Sequence, residues 1–235
     1  MSGTNGPGTS TPSADARVHE GKQWVPRLLV LTAVTGVVDA ISFLALGHVF
    51  TANMTGNVVF MAFDAAGASG YSFVRSFVAL VAFLAGGVIG GRMATKPAQR
   101  WPAQPFLLEA ALFAAAAAVT FVKGRSVPSA LIIVLVAVAM GIRNVTVRKL
   151  AVPDMNTTVL TLTVAGLAGD SSLAGGSNPR WARRSASVLA IFAGAAAGTV
   201  LVRQSLLVAL AICAVVVGGV AASIRSLKPH VATGT

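Results

Sequence analysis

Two ionisable side chains, Asp39 and Arg143, lie inside long apolar runs where charge is costly. Asp39 belongs to Thr35 to Asn57, which reads TGVVDAISFLALGHVFTANMTGN, and Arg143 belongs to Gly141 to Thr163, which reads GIRNVTVRKLAVPDMNTTVLTLT. A charge at membrane depth costs several kcal/mol unless it is partnered, so it marks either a pathway or a packing site. For Asp39, an ion- or proton-coupled site, a substrate contact and a structural partnership all stay open.

We expect Asp39 to pair with Arg143, because both residues are predicted to occupy similar depths in related helices. Two alternatives remain for Arg143, which are binding of an anionic substrate and snorkelling towards the cytoplasmic interface. If Asp39 is only a structural partner, Asp39→Asn destabilises the protein, because it leaves a buried cation without its counter-charge.

Polar side chains interrupt the apolar sequence after each of these charges. Ala52 to Asn57 and Asp154 to Thr158 are predicted starts of half-helices, whose free backbone N–H groups would face a ligand. The alternative is ordinary capping, since Asn and Thr cap helices routinely. The predicted substrate or ion pathway is lined by nine residues: Asp39, Asn53, Thr55, Asn57, Arg143, Asn144, Asn156, Thr157 and Thr158.

The composition is that of a membrane protein with several spans. Of the 235 residues, 55% are hydrophobic and only 11% are charged, which is too apolar for an ordinary soluble domain. The net charge of +11 does not predict nucleic-acid binding, because the bases fall between apolar runs, as topology-setting residues do. The single cysteine, Cys213, allows no intrachain disulfide.

No catalytic residue, metal site or cofactor is predicted. The sequence holds no HExxH motif or Cys/His cluster, and no serine or cysteine has an obvious histidine base. We therefore do not expect an enzyme. The alternative is an intramembrane enzyme for a lipid-like substrate, with Asp39 or Glu109 as its acid.

The apolar runs divide the chain into four regions. Residues 1–27 are predicted to be a disordered cytoplasmic tail, 28–122 a first membrane repeat, 123–227 a second membrane repeat, and 228–235 a cytoplasmic tail. Six runs are long enough to span: Leu28 to Gly47, Phe73 to Gly91, Phe106 to Val122, Ser129 to Arg148, Ala186 to Val202 and Leu206 to Ile224. Two others, Val49 to Ala66 and Met155 to Ala168, are interrupted by polar residues and are predicted to be short broken or re-entrant helices.

The order of features repeats: a long run, a short polar run, a long run with a glycine pair, and a long run. In this alignment Gly36 matches Gly141, Asp39 matches Asn144, and Asn53-Met54-Thr55 matches Asn156-Thr157-Thr158. Gly87 and Gly91 align with Gly194 and Gly198. Pairs of small residues four apart let helices approach closely, so we predict helix packing at Gly86, Gly87, Gly90, Gly91, Gly194 and Gly198.

The distribution of Lys and Arg predicts the topology. With six spans, 13 bases lie on one side and 4 on the other, whereas eight spans give 11 against 6. The positive-inside rule therefore favours six spans with both termini in the cytoplasm. Each half then has three spans, an odd number, so the halves are oppositely oriented, as in many transporters.

Three runs carry a family resemblance: TGVVDAISFLALGHVFTANMTGN, RNVTVRKLAVPDMNTTVLTLT and GLAGDSSLAGG. They resemble the YoaK-type family of bacterial multi-pass membrane proteins, a domain of unknown function, over residues from about 28 to about 227. The resemblance implies a helical inner-membrane protein and supplies no substrate, cofactor or catalytic residue.

The predicted fold is therefore an all-α, polytopic membrane bundle of six spans and two short helices. The predicted function is a small-solute or ion transporter or channel, with its site near the midplane between inverted repeats. The alternative is a non-transporting membrane scaffold or partner-binding protein. The expected partners are the lipid bilayer and an unknown small solute or ion, with a homo-oligomer as an option and no nucleic acid.

Overall fold

The computed structural model describes residues 14–95, 103–123, 129–153, 155, 157 and 160–226. These residues form eight α-helices and one short 3-10 helix, Ser172–Ala174, and they include no strand. In chain order the α-helices are α1 (Ala14–Ala45), α2 (Met54–Ala65), α3 (Phe73–Met93), α4 (Ala103–Lys123), α5 (Ser129–Leu150), α6 (Thr161–Gly169), α7 (Trp181–Gln204) and α8 (Leu206–Arg225).

Six of these helices, namely α1, α3, α4, α5, α7 and α8, are long and apolar enough to cross a membrane. Their apolar segments run from 20 to 24 residues, which at about 1.5 Å per residue gives roughly 30–36 Å. The remaining helices, α2 with 12 residues and α6 with 9, are too short to span. The prediction of an all-α membrane bundle with six long helices is confirmed.

The helix α1 begins earlier than its apolar run. It starts at Ala14 and continues through Pro26, so the prediction that residues 14–27 belong to a disordered tail is wrong. The segment before the apolar run contains Ala, Arg, Glu and Lys, which favour helix, and these residues continue the helix that the membrane run nucleates. The predicted tail residues 1–13 and 228–235 lie outside the described part of the chain.

The core of the bundle is formed around α1 and α5. The helix α1 packs against α7 and α8, α5 packs against α3 and α4, and α4 packs against α8. In α1 and α5, 61% of the apolar window is buried, whereas in α7 only 17% is. Large apolar side chains on the outer helices, including Phe77, Leu84 and Phe192, are exposed, so these faces contact the lipid bilayer.

Glycines bring the backbones of the helix pairs α3–α5 and α1–α7 into direct contact. A Cβ atom added at Gly86 would lie 2.1 Å from the carbonyl oxygen of Val138 on α5. A Cβ atom added at Gly194 would lie 1.9 Å from the carbonyl oxygen of Ala33 on α1. Gly90 and Gly198 make similar backbone approaches one turn further along α3 and α7. These four glycines are therefore the small residues that close helix packing requires.

Gly87 and Gly91 face elsewhere. A Cβ atom at Gly87 would make an ordinary contact of 3.5 Å with Cγ2 of Val145, and one at Gly91 would meet nothing within 4 Å. Consecutive helical residues point about 100° apart, so only one of two overlapping glycine pairs can face the same neighbour. The alignment of Gly87 and Gly91 with Gly194 and Gly198 is therefore wrong by one residue, and close packing at Gly91 was wrongly predicted.

Candidate functional site: a buried ion pair beside helix α1

Arg143 on α5 is completely shielded from solvent. Its Nη2 atom forms an ion pair with Oε1 of Glu109 on α4, whose side chain is also fully buried. Its Nη1 atom donates hydrogen bonds to two groups on α1, the carbonyl oxygen of Leu31 at 2.9 Å and Oγ1 of Thr35 at 3.0 Å. The arginine on α5 thus connects three helices through polar contacts.

Helix geometry explains why Glu109 meets Arg143. Glu109 lies six residues after the start of α4, and Arg143 lies seven residues before the end of α5. These helices are consecutive, pack against each other and are separated by only five residues, so they run antiparallel. At about 1.5 Å per residue, the two side chains lie about 9 and about 10 Å from the same end of the hairpin.

Asp39 does not pair with Arg143. Its Oδ1 atom is buried and makes no hydrogen bond, and Asp39 forms no ion pair among the described residues. The predicted pairing is wrong because the guanidinium of Arg143 contacts α1 at Leu31 and Thr35, one to two turns before Asp39. At that level of the bundle the guanidinium pairs with Glu109. Asp39 follows Thr35 by four residues on α1, so it lies about one helical turn from a group that Arg143 contacts.

The polar segment before α2 is held together by Asn57. The backbone N–H of Phe50 donates to Oδ1 of Asn57 at 2.9 Å, and Nδ2 of Asn57 donates to the carbonyl oxygen of Phe50 at 2.5 Å. Asn53 occupies the N-cap position of α2 but makes no side-chain capping bond, and both Asn53 and Thr55 are exposed. The alternative of side-chain capping by Asn53 is therefore wrong, and the hydrogen bonds of the buried Asn57 amide hold the loop instead.

The second polar segment differs from its prediction. The helix α6 begins at Thr161, and the two described residues of the predicted helix start at 154–158, Met155 and Thr157, are not helical. Of the predicted pathway residues, Thr157 is buried and Asn144, beside Arg143 on α5, is half-buried and partnered. Asp154, Asn156 and Thr158 lie outside the described residues.

Two polar contacts that the sequence did not indicate hold the short helices to the spans that follow them. Nη1 of Arg184 donates to the carbonyl oxygen of Gly166 and to Oδ2 of Asp170, both at 2.7 Å, which joins the end of α6 to α7. A cation beside the last carbonyls of a helix is favourable. At the end of α2, Oδ2 of Asp64 accepts a hydrogen bond of 2.9 Å from the backbone N–H of Phe73.

The interior site thus brings one base together with one contacting acid, Glu109, and one acid at longer range, Asp39. Nowhere among the described residues do three His, Cys, Asp or Glu side chains group as metal ligands. One fully buried acid, Glu109, one half-buried acid, Asp39, and one fully buried base, Arg143, leave one negative charge when all three are ionised. Such a site is suited to holding a cation or a proton.

The sequence of the chain is similar to that of a transmembrane protein. It is 38% identical over 149 residues to the "UPF0700 transmembrane protein YoaK" of Bacillus subtilis (strain 168). The match covers 62% of this chain and 65% of that protein, a little under two thirds of its length. No solved structure matches the chain.

A family model described as "Protein of unknown function (DUF1275)" matches residues 27–223, which hold four of the six long apolar helices completely and most of the first and the last. The match covers most of the chain and agrees with the resemblance to a multi-pass membrane family. The chain is therefore a multi-pass membrane protein that belongs to the DUF1275 family of proteins of unknown function.

Proposed function

We propose that this protein is a small-solute or ion transporter or channel of the bacterial plasma membrane. Its pathway runs between two oppositely oriented halves, past the polar residues around Arg143. No catalytic step is part of this proposal. The observation that carries it is a repeated pattern of glycine contacts, which relates the two halves of the bundle.

The contacts recur at constant intervals along the chain. A Cβ atom added at Gly36 would clash with the backbone of Ile191 and Ala195. A Cβ atom added at Gly141 would clash with the backbone of Phe83 and Gly87. The two central glycines are 105 residues apart, and each pair of contacted outer residues is 108 residues apart.

The same intervals relate two further pairs of contacts. Gly86 approaches Val138 while Gly194 approaches Ala33, and Gly90 approaches Ile142 while Gly198 approaches Val37. Each half therefore contributes one central and one outer helix to crossings of the same form, which supports an internal duplication.

The orientation of the halves follows from the number of spans in each. Three long helices per half is an odd number, so a duplicated half enters the membrane from the opposite side. We place both termini in the cytoplasm, since this puts most Lys and Arg residues on that side. The helices α2 and α6 are too short to span and are fastened to α3 and α7, which supports their entering and leaving the membrane on one side.

Transport through this bundle requires polar groups in its interior, and Arg143, Glu109 and Asp39 provide them. Ionisable residues inside membrane bundles face the bundle interior and mark ion and substrate pathways, which makes them candidates for a functional site. We propose a small solute or ion as the ligand and leave the homo-oligomer as a second proposal, to be settled by the mass of the purified protein.

A second candidate function is a non-transporting membrane scaffold. The observation that favours it is the full burial of Arg143 and Glu109 against each other, which also suits a purely structural ion pair. The two candidates differ in what happens when the charges are removed together. A structural pair can be replaced by neutral side chains without loss of function, whereas pathway charges cannot.

The deciding experiment is uptake and efflux of a broad panel of labelled solutes and ions, in cells and in proteoliposomes with and without the protein. The matched control is Arg143→Gln with Glu109→Gln, which removes both charges and keeps hydrogen-bonding side chains at both positions. Protein-dependent flux that is lost in this folded variant supports the proposal. Absence of flux across the panel, with normal insertion of the protein, favours the scaffold.

A further inference from the structure

We propose that Glu109 and Asp39 are alternative partners of Arg143, and that the carboxyl group which Arg143 does not contact carries a proton. This makes the interior of the bundle a proton-binding site. The inference deepens the proposed function, on which it rests, by naming the proton as the coupling or transported ion. In the structure Arg143 contacts Glu109, and Asp39 is the group left for the proton.

Charge balance is the first step. Two carboxylates and one guanidinium sum to a charge of −1 inside the bundle, and one bound proton makes the group neutral. The guanidinium cannot lose its charge in a protein, so a carboxylate takes up the proton. The step is the conversion of a carboxylate and a proton from water into a carboxylic acid, and its reversal returns the proton to water.

The position of the guanidinium is the second step. Nη1 of Arg143 already lies 3.0 Å from Oγ1 of Thr35, and Asp39 follows Thr35 by four residues on α1. Residues four apart on a helix have Cβ atoms about 5–6 Å from each other on one face. In this proposal, a change in the side-chain conformation of Arg143 moves the guanidinium about one helical turn along α1, from the contact with Glu109 to Asp39.

The surroundings of Asp39 are the third step. Its Oδ1 atom is buried without a hydrogen-bond partner, and burying an ionised carboxylate without a partner is costly.

The other charged groups lie away from the middle of the bundle. In the described part of the chain, those on elements packed around α1 and α5 lie in the first or last turns of their helices: Arg75, Arg92, Arg148, Lys149, Arg183, Arg184, Arg203 and Arg225. His48 lies beyond the end of α1, and Arg27 donates to Ser223 and to the carbonyl oxygen of Gln23. Arg143 is therefore the cation that both acids can share.

The test is a mutant cycle read by folded yield and thermal unfolding in detergent, so it does not depend on transport. We expect Asp39→Asn and Glu109→Gln each to keep most of the folded yield, because the other carboxylate remains for Arg143. The double variant leaves Arg143 buried and unpaired, and its folded yield falls roughly tenfold or more. Adding Arg143→Gln to the double variant restores the yield.

Two results would overturn the inference. One is a severe loss of folded yield in Glu109→Gln alone, with no further loss when Asp39→Asn is added. Asp39 then does not replace Glu109 as the partner of Arg143. The other comes from infrared spectra of the wild type and Asp39→Asn, which both keep Glu109. We expect a carboxylic-acid carbonyl band in the wild type that is missing in Asp39→Asn, and identical bands in both proteins would exclude a proton on Asp39.

Flux measurements separate this inference from the proposed function. If the losses of folded yield in the mutant cycle are cooperative but no flux is detected, the proton site is supported and the transporter function is excluded. Flux that depends on sodium instead of on a pH gradient, together with an additive cycle, removes the proton site and leaves the transporter.

Discussion

The closest helix contacts in the bundle lead to a quantitative prediction for single glycine-to-alanine changes. Gly86→Ala on α3 places a methyl group 2.1 Å from the carbonyl oxygen of Val138. The matched controls lie on the same helix within one and a half turns: Gly87→Ala places its methyl 3.5 Å from Cγ2 of Val145, and Gly91→Ala points into open space. We expect Gly86→Ala to destabilise the protein and both controls to be neutral or slightly stabilising.

The magnitude follows from the distances. To bring 2.1 Å to at least 3.4 Å, where ordinary contact begins, the backbones of α3 and α5 must separate by about 1.3 Å. The contacted atom is a backbone oxygen, which cannot rotate away as a flexible side chain can. Overpacking of this kind typically costs about 1–3 kcal/mol. At Gly91 the same change meets no atom and gains up to about 1 kcal/mol of helix propensity.

Thermal unfolding in detergent, followed by circular dichroism, measures the difference. In proteins of 150–250 residues, 1 kcal/mol shifts Tm by about 2–4 °C, so we expect Gly86→Ala to lower Tm by roughly 2–12 °C. Gly194→Ala should behave alike, since its methyl would lie 1.9 Å from the carbonyl oxygen of Ala33. A Tm for Gly86→Ala equal to that of Gly91→Ala would refute the close contact between α3 and α5.

Three further predictions test the loops and the topology. Asn57→Ala removes both hydrogen bonds to Phe50 and should lower the stability measured by thermal unfolding by about 1–3 kcal/mol. Asn53→Ala should have no effect, because the Asn53 side chain is exposed and makes no capping hydrogen bond. Arg184→Gln should speed limited proteolysis of residues 170–180, since it releases the end of α6 from α7, and equal rates would contradict this anchoring. In a Cys213→Ala background, cysteines at positions 98 and 177 should resist an impermeant thiol reagent in intact cells and a cysteine at position 126 should react; labelling at 98 from outside would exclude six spans.

The six long helices were predictable because their main determinant is a one-dimensional property. A run of about 20 apolar residues is enough to cross the hydrocarbon layer, whatever its neighbours are. The ends of the helices depend on local polar residues, and there the prediction was less accurate. At Ala14 the helix extends into the polar sequence, and at Thr161 it begins after the polar residues that were expected to start it.

The contacts of the site were not predictable from apolar runs alone, because they depend on which helices are neighbours. Asp39 and Arg143 are the charges that lie deepest in their apolar runs, whereas Glu109 lies near the start of the run from Phe106 to Val122. The depth of each charge in the α4–α5 hairpin predicts the right partner. Glu109 lies six residues from the start of α4 and Arg143 seven residues from the end of α5, and these two helix ends are neighbours in an antiparallel pair. Which of Gly86 and Gly87 packs against a neighbouring backbone likewise depends on the side of α3 on which α5 lies.

The repeated contacts and the ion pair together bear on the function of Arg143. At the interval of 105 residues that relates Gly36 to Gly141, the counterpart of Arg143 is Val38, which is buried and apolar. The same kind of helix crossing is therefore built in the first half without a charge at this position. A buried ion pair contributes little net stability compared with well-packed apolar residues. Packing therefore does not explain the charge of Arg143, and this asymmetry favours a role in binding an ion or proton over a purely structural one.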